Sequence, residues 1–216
     1  MMHEILKILF PSPCLSCGFL SEPLCGRCLG LLEFSPHIRE IDGLKVCCGM
    51  YFQADSILER LIHPFKYKHH AEIFRLFVPH MREGLRLLKE PVDLILVPVP
   101  LFKARQKERG YNQAELLARW VAKGLGCRVF DVLGRAKDTG KQAKVALKAE
   151  RRENMTGAFE LRGSLPRDGQ IVLVDDIVTT GSTLLACREV LEAAGYTNIS
   201  ALTLADREKN PDCPWN

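Results

Sequence analysis

The sequence predicts an α/β protein, an open and mostly parallel sheet flanked by helices, with a small cysteine-rich module at its N-terminal end. Three observations predict it. Two short runs, Leu94-Ile-Leu-Val97 and Ile171-Val-Leu-Val174, are apolar at every position, as central strands of a parallel sheet must be. Each leads through a loop of polar residues into a helix signal, the alternation from which βαβ units are built. Residues 1–50 break that pattern, with Pro11, Pro13, Pro23 and Pro36, two Cys-x-x-Cys pairs and no long periodic run.

The expected organisation is therefore a module over 1–50 and an α/β domain over 51–216. Within the module, Cys14 and Cys17 are separated by seven residues from Cys25 and Cys28, with Gly18 and Gly26 beside the second and third cysteines. Two such knuckles can place four thiolates around a tetrahedral Zn²⁺, whose binding is worth roughly 10–16 kcal/mol to a segment too small to fold alone. A redox pair would need only one Cys-x-x-Cys, at a helix start. The chain has nine cysteines, an odd number, and Cys47 and Cys48 are adjacent, which argues against a secreted disulfide framework. The apolar run Ile5 to Phe10 contains Lys7, stops at Pro11 and is too short for a signal peptide or a membrane span. The expected location is a reducing cytoplasm. Cys127, Cys187 and Cys213 read as packing or incidental residues.

From Asp55 to Leu88 apolar residues recur at helical spacing, with a break from Pro64 to His70. His63, His69, His70 and His80 fall here without an acid or thiol at fixed spacing, so they read as solvated or core histidines. After the strand at Leu94 a helix opens at Asn112, where Asn112 and Glu115 have the spacing of a capping box, and runs to about Gly124. A second helix is expected from Ser182 to Ala194, closed by Gly195. A last strand is expected over Asn198 to Leu204.

The segment Ile171-Val-Leu-Val-Asp-Asp-Ile-Val-Thr-Thr-Gly-Ser-Thr183 carries most of the chemistry. A buried strand ends in Asp175 and Asp176, carboxylates suited to vicinal ribose hydroxyls or to Mg²⁺. The following Thr179, Thr180, Gly181, Ser182 and Thr183 offer backbone N–H groups, small hydroxyls and a helix N-terminus, which together cradle a phosphate. An ordinary capped helix explains Ser182 or Thr183 but not the paired acids with them. A Walker B strand also ends in Asp-Asp, but it needs a Walker A loop, and Gly134 to Gln142 has the wrong glycine spacing and Gln in place of Ser or Thr.

The net charge of +4 conceals an uneven distribution. Residues 100–152 hold fourteen Lys or Arg against five Asp or Glu, leaving the remainder of the chain at −5. A block of this kind points to a polyanion, either a phosphorylated small molecule or nucleic acid. It contains a loop from Val97-Pro-Val-Pro100 through Lys103, Arg105, Lys107 and Arg109 to Gly110-Tyr-Asn-Gln113, where cations and a helix N-terminus converge as a pyrophosphate site would require. A basic surface loop with a routine cap is the alternative. A third stretch, Lys141 to Asn154, either folds over a bound polyphosphate and excludes water or forms a plain charged helix.

Residues 171–183 match the thirteen-residue phosphoribosyl pyrophosphate (PRPP) motif of type I phosphoribosyltransferases. The order of a Cys-x-x-Cys pair module, Pro-Val-Pro-Leu with Arg-Gly-Tyr-Asn-Gln, Gln142 with Arg151-Arg-Glu-Asn154 and Ala158-Phe159, and then this motif resembles the ComF family over nearly the whole chain. The resemblance implies a type I phosphoribosyltransferase-like fold with an N-terminal zinc finger and an association with DNA uptake and natural transformation. It implies that Asp175 and Asp176 bind the ribose hydroxyls, that Thr179, Thr180, Gly181, Ser182 and Thr183 hold the 5′-phosphate, and that Mg²⁺ bridges pyrophosphate and ribose oxygens. Arg105, Arg109, Asn112, Gln142 and Arg151 are the candidates for the pyrophosphate side. The chain departs from many relatives in having one full set of zinc-type cysteines, with Cys47-Cys48 where others carry further pairs.

Three functions stay open at this point. The chain binds Mg²⁺-PRPP and transfers ribose phosphate, although no residue announces itself as the base or defines an acceptor pocket. Alternatively, it is a non-catalytic adaptor that cradles single-stranded DNA or a nucleotide while its zinc module docks a partner such as the family's helicase. Only Tyr111, Trp120 and Phe130 lie near the basic block as stacking platforms for such a strand. A nucleotide-salvage phosphoribosyltransferase ranks third, because it gives the cysteine module no evident place.

Overall fold

The computed structural model describes residues 12–21, 23–52, 56–65, 68–88, 93–136 and 157–207. Two short strands, β1 (Ser12–Pro13) and β2 (Leu20–Ser21), pair antiparallel and are followed by helix α1 (Gly26–Gly30). Strands β3 (Phe34–Ile41) and β4 (Leu44–Tyr51) then form a hairpin. Helix α2 (Ile57–Phe65), a 3-10 helix (Lys68–Phe77) and α3 (Val78–Arg86) follow, matching the expected helical region and its break. The remainder is β5 (Leu94–Pro98), α4 (Lys103–Arg109), α5 (Gln113–Ala122), β6 (Arg128–Val129), β7 (Leu133–Arg135), β8 (Phe159–Leu161), β9 (Gln170–Val178), α6 (Ser182–Ala193) and β10 (Ile199–Asp206).

Six strands make one sheet in the order β3-β4-β10-β9-β5-β6, parallel throughout except for the antiparallel β3–β4 pair at one edge. Both apolar runs lie in its middle as β5 and β9, and Ile95, Leu96, Val97, Val172, Leu173 and Val174 are fully buried. The sheet separates two hydrophobic layers. On one side α2, α3 and α5 pack with Phe65, Phe74, Phe77, Met81 and Leu117; on the other, α6 packs with Leu184, Leu191 and Tyr196.

Residues 34–50 of the expected N-terminal module belong to the hairpin of β3 and β4, two strands of this central sheet. Their turn is Asp42-Gly43, with φ of +46° and +77°, the two-residue connection that Asp-Gly favours between strands of right-handed twist. The segment Lys103–Arg109, read from the sequence as loop, is a helix closed by Gly110 in the left-handed region (φ +79°). Its sequence, KARQKER, contains one apolar residue and therefore shows no helical stripe. His80 stacks on Phe34 with ring centroids 3.4 Å apart, and burial lowers its pKa. The side chains of His63, His69 and His70 lie outside the described residues.

Candidate functional site

The connection from β5 runs through α5 to β6 on one side, and the connection from β9 runs through α6 to β10 on the other. The loops leaving the C-terminal ends of β5 and β9 therefore diverge, and a crevice opens between them where α/β sheets bind their ligands. Val99 N–H donates to Val174 C=O at 2.9 Å, which fixes the two strand ends side by side at the floor of this crevice.

The β9 side presents the acids and the small-residue loop. Asp175 Oδ1 accepts from Asp176 N–H at 2.9 Å, and Asp176 Oδ1 accepts from Ile177 N–H at 2.7 Å, so both carboxyl groups fold back on their own strand end. Burial and the adjoining Asp176 carboxylate push the Asp175 carboxyl well above the usual carboxylate range, against a smaller opposing pull from Arg135. Thr180 Oγ1 and Ser182 Oγ lie 2.5 Å apart, drawing the loop into a tight curve. Gly181 is the N-cap of α6 with φ of +77° and has no side chain with which to cap it; of the first-turn N–H groups, that of Ser182 makes a long contact of 3.5 Å to Thr180 Oγ1. The first-turn N–H groups thus carry the positive end of the helix dipole into the crevice. Gly181 is required twice over: a Cβ there would meet Ile41 Cδ1 at 2.8 Å, and the conformation itself disfavours any other residue.

The β5 side presents the basic loop. Asn112 is the N-cap of α5, its Oδ1 accepting from Ala114 N–H at 3.1 Å while its Nδ2 donates to Val99 C=O at 3.0 Å. One buried amide thereby caps the helix and ties it to the strand end. The expected capping box is only half present, because Glu115 pairs with Arg119 one turn on, at 2.8 Å. Arg109 donates to Gln113 Oε1 at 3.1 Å, and Gln113 Nε2 is buried without a hydrogen-bond partner among the described residues. The Tyr111 hydroxyl donates to Phe65 C=O. Burial raises the Tyr111 pKa to about 12, with Arg109 lowering it and Asp176 adding to the rise, so the two sides of the crevice lie within each other's field. Arg105 is partly buried on α4, whereas Lys103 and Lys107 are exposed. Gln142 and Arg151 lie outside the described residues, as does the stretch Lys141 to Asn154. The antiparallel pair β7–β8 brackets that stretch and brings Arg135 over the Phe159 ring at 5.2 Å.

Two arginines join the site without having been legible beforehand. Arg135 reaches Asp175 electrostatically from β7. Arg39, from β3, donates to Thr179 C=O at 2.9 Å and to Asp206 Oδ1 at 2.7 Å, strapping the loop after β9 to the edge of the sheet. Both contacts cross long stretches of sequence, and neither arginine stands in a motif.

At the N-terminal end the sulfurs of Cys14, Cys17, Cys25 and Cys28 all lie within 4.8 Å of one another. Cys17 and Cys25 are 3.8 Å apart, the edge of a tetrahedron with Zn–S of about 2.3 Å. The Cys25 and Cys28 pair does begin a helix, as a redox pair would, but the first pair stands across from it. Burial opposes ionisation of Cys14, yet N–H donors from Cys25, Cys17 and Ser16 outweigh it and bring the thiol to about 6; burial and the neighbouring cysteines hold Cys28 up at about 12. Four sulfurs this close ionise together only around a cation, so the donor set is compatible with structural zinc.

No helix among the described residues is long and apolar enough to cross a membrane. Residues 111–213 match the phosphoribosyl transferase domain family. Competence protein F of Haemophilus influenzae is 32% identical over 200 residues, which cover 86% of this chain and 85% of that protein. Competence protein ComFC of Bacillus subtilis is 30% identical over 84% of this chain and 76% of its own length. The DNA utilization protein YhgH of Salmonella typhi is 32% identical over 91% of this chain and 83% of its own.

Proposed function

The chain belongs to the competence protein F/ComFC family, and from that membership we propose that it binds PRPP with Mg²⁺ in the crevice between β5 and β9 and acts in the cytoplasm in the uptake of DNA. The observation that carries the reading is the meeting in one crevice of paired strand-end acids, a helix N-terminus whose cap is a glycine, and a cationic loop. A phosphoribosyl ligand needs these three things in that order: acceptors for ribose hydroxyls, donors for the 5′-phosphate and cations for the pyrophosphate.

In this reading Asp175 and Asp176 take the ribose hydroxyls. The N–H groups and hydroxyls of Thr179 to Thr183 take the 5′-phosphate, with Gly181 keeping the approach clear. Arg109 faces the pyrophosphate, its guanidinium steadied by Gln113, and the buried Gln113 Nε2 has a hydrogen bond left to give. Mg²⁺, held by Asp175 or Asp176, would neutralise pyrophosphate charge and favour its departure. Structural zinc on Cys14, Cys17, Cys25 and Cys28 would hold the N-terminal module together.

Calorimetric titration with PRPP and Mg²⁺ tests the assignment. Binding by the native chain that disappears in Asp175→Asn/Asp176→Asn supports it; no binding by the native chain, or binding unaffected by the double change, refutes it. A second reading, phosphate contacts to single-stranded DNA, draws on the exposed Lys103 and Lys107 of α4. It requires an affinity that falls steeply with salt and weakens when both lysines are neutralised.

A further inference from the structure

Apart from the four cysteines, one more group of metal-type donors converges among the described residues. His37 on β3, Cys48 on β4 and Asp206 at the end of β10 bring one ligand atom each to within 4.8 Å of the others. The sheet register makes the cluster. His37 stands directly opposite Cys48 across the antiparallel pair, and Cys48 stands opposite Thr203 across the parallel one, so three adjacent strands contribute to a single row. Cys47, one residue away, packs in the layer on the other side of the sheet and takes no part.

We propose that His37, Cys48 and Asp206 form a second divalent metal site of zinc type, with three protein ligands and solvent in the fourth position. The surroundings of each ligand agree with that role. His37 Nδ1 faces Ser35 C=O at 2.8 Å, and since a carbonyl only accepts, Nδ1 carries the proton. His37 Nε2 lies 3.4 Å from Asp206 Oδ2, to which the protonated ring donates as an ion pair, and a metal ion would take the place of that proton. A backbone carbonyl on the far nitrogen is how ligating histidines are commonly oriented. Asp206 is 1% exposed; Arg39 holds its Oδ1 at 2.7 Å and leaves Oδ2 on the side of the histidine. Thr203 Oγ1 donates to Cys48 Sγ at 3.4 Å, and the Cys48 thiol donates to Val46 C=O at 3.7 Å, which fixes the sulfur beside His37. His37 stacks flat on Tyr51, fixing the ring, and its partly exposed edge is the entry path.

One sulfur, one nitrogen and one oxygen suit Zn²⁺ or Co²⁺ and suit Mg²⁺ or Ca²⁺ poorly. On binding, the Cys48 S–H proton leaves to solvent as the S–metal bond forms, and any proton on His37 Nε2 leaves with it. Affinity therefore rises with pH.

The test is the zinc content of the full chain after equilibration with excess Zn²⁺ and desalting, for the native protein, Cys48→Ala, His37→Gln and Cys14→Ala/Cys17→Ala. The expected result is a zinc equivalent beyond the one of the four cysteines, lost in Cys48→Ala and in His37→Gln and retained in Cys14→Ala/Cys17→Ala. Should Cys48→Ala fail to fold by circular dichroism, His37→Gln, on a half-buried edge strand, carries the comparison. A native chain with a single equivalent that both variants keep overturns the site, as does a second equivalent that neither loses. A single equivalent that they do lose, and that Cys14→Ala/Cys17→Ala keeps, upholds this site and overturns the four-cysteine one.

Discussion

The four-cysteine module and the crevice between β5 and β9 both gather groups that repel one another, and they do so on different foundations. The module packs on the large buried layer through Cys14, Leu24, Cys25 and Cys28, but its own elements are two-residue strands and a five-residue helix, so its internal structure depends on what draws the sulfurs together. The crevice stands on the fully buried centre of a six-stranded sheet, which forms whether or not the acids at its rim are content. On the proposed function, a metal would hold the fold in the first region, whereas in the second the fold itself holds an unfavourable pair of acids side by side. The same chemical change, removal of a charged or ionisable group, should therefore cost stability in one region and add it in the other.

The largest effect is expected at the module. Chelation of zinc, or Cys25→Ala, should unfold residues 12–30 while the sheet persists, a loss on the order of 10 kcal/mol of binding free energy confined to one end of the chain. Hydrogen exchange resolves it: protection should vanish over the module and survive in β5 and β9. Uniform loss of protection would place the sheet under the same control as the module.

The next effect is at Gly181. Gly181→Ala forces a Cβ against Ile41 and a left-handed conformation on alanine, costing roughly 1–3 kcal/mol and displacing the loop. Chemical denaturation together with PRPP titration should show both losses, whereas a loss of binding at unchanged stability would mean that Gly181 meets the ligand rather than Ile41. A smaller effect belongs to Asn112→Ala, which removes the α5 cap and the tie to Val99 for about 1–2 kcal/mol. It should weaken PRPP binding less than the Gly181 change, since it loosens the cationic side and leaves the phosphate loop intact.

Both regions are announced by local signals in the sequence, and what lies between them is not. The loop after β9 is contiguous, and the apolar runs of β5 and β9 and the cap at Asn112 are local signals, so these parts of the crevice's walls could be read directly, whereas Lys103–Arg109 reads as loop and is a helix. The spacing of the four cysteines was equally local. The β3–β4 hairpin was hidden because its strands are built partly from cysteines. Cys47 and Cys48 are fully buried and behave as small apolar residues, yet in a cysteine-rich stretch they read as part of the module. The Asp42-Gly43 pair between Ile41 and Leu44 was the available signal for it. Arg39 and Arg135 could not be placed beforehand, because each meets the site only through sheet pairing across distant segments. The row of His37, Cys48 and Thr203 likewise exists only in the register of three strands.

Asp175 offers the most direct test of an arrangement held ready at the sheet's expense. Its carboxyl keeps its proton more tightly in the folded chain than in the unfolded one, so its contribution to stability falls as pH rises from the ordinary carboxylate range toward its raised value. Asp175→Asn keeps the acceptor for Asp176 N–H and removes a partly buried ionisable group together with its repulsion by Asp176. Thermal unfolding near neutral pH, with and without PRPP and Mg²⁺, is the deciding measurement. The account predicts that Asp175→Asn melts at or above the native temperature without ligand, by about 2–4 °C for each kcal/mol relieved, and that ligand raises the native midpoint but not the variant's. A variant that melts lower, or that ligand stabilises as much as the native chain, would contradict it.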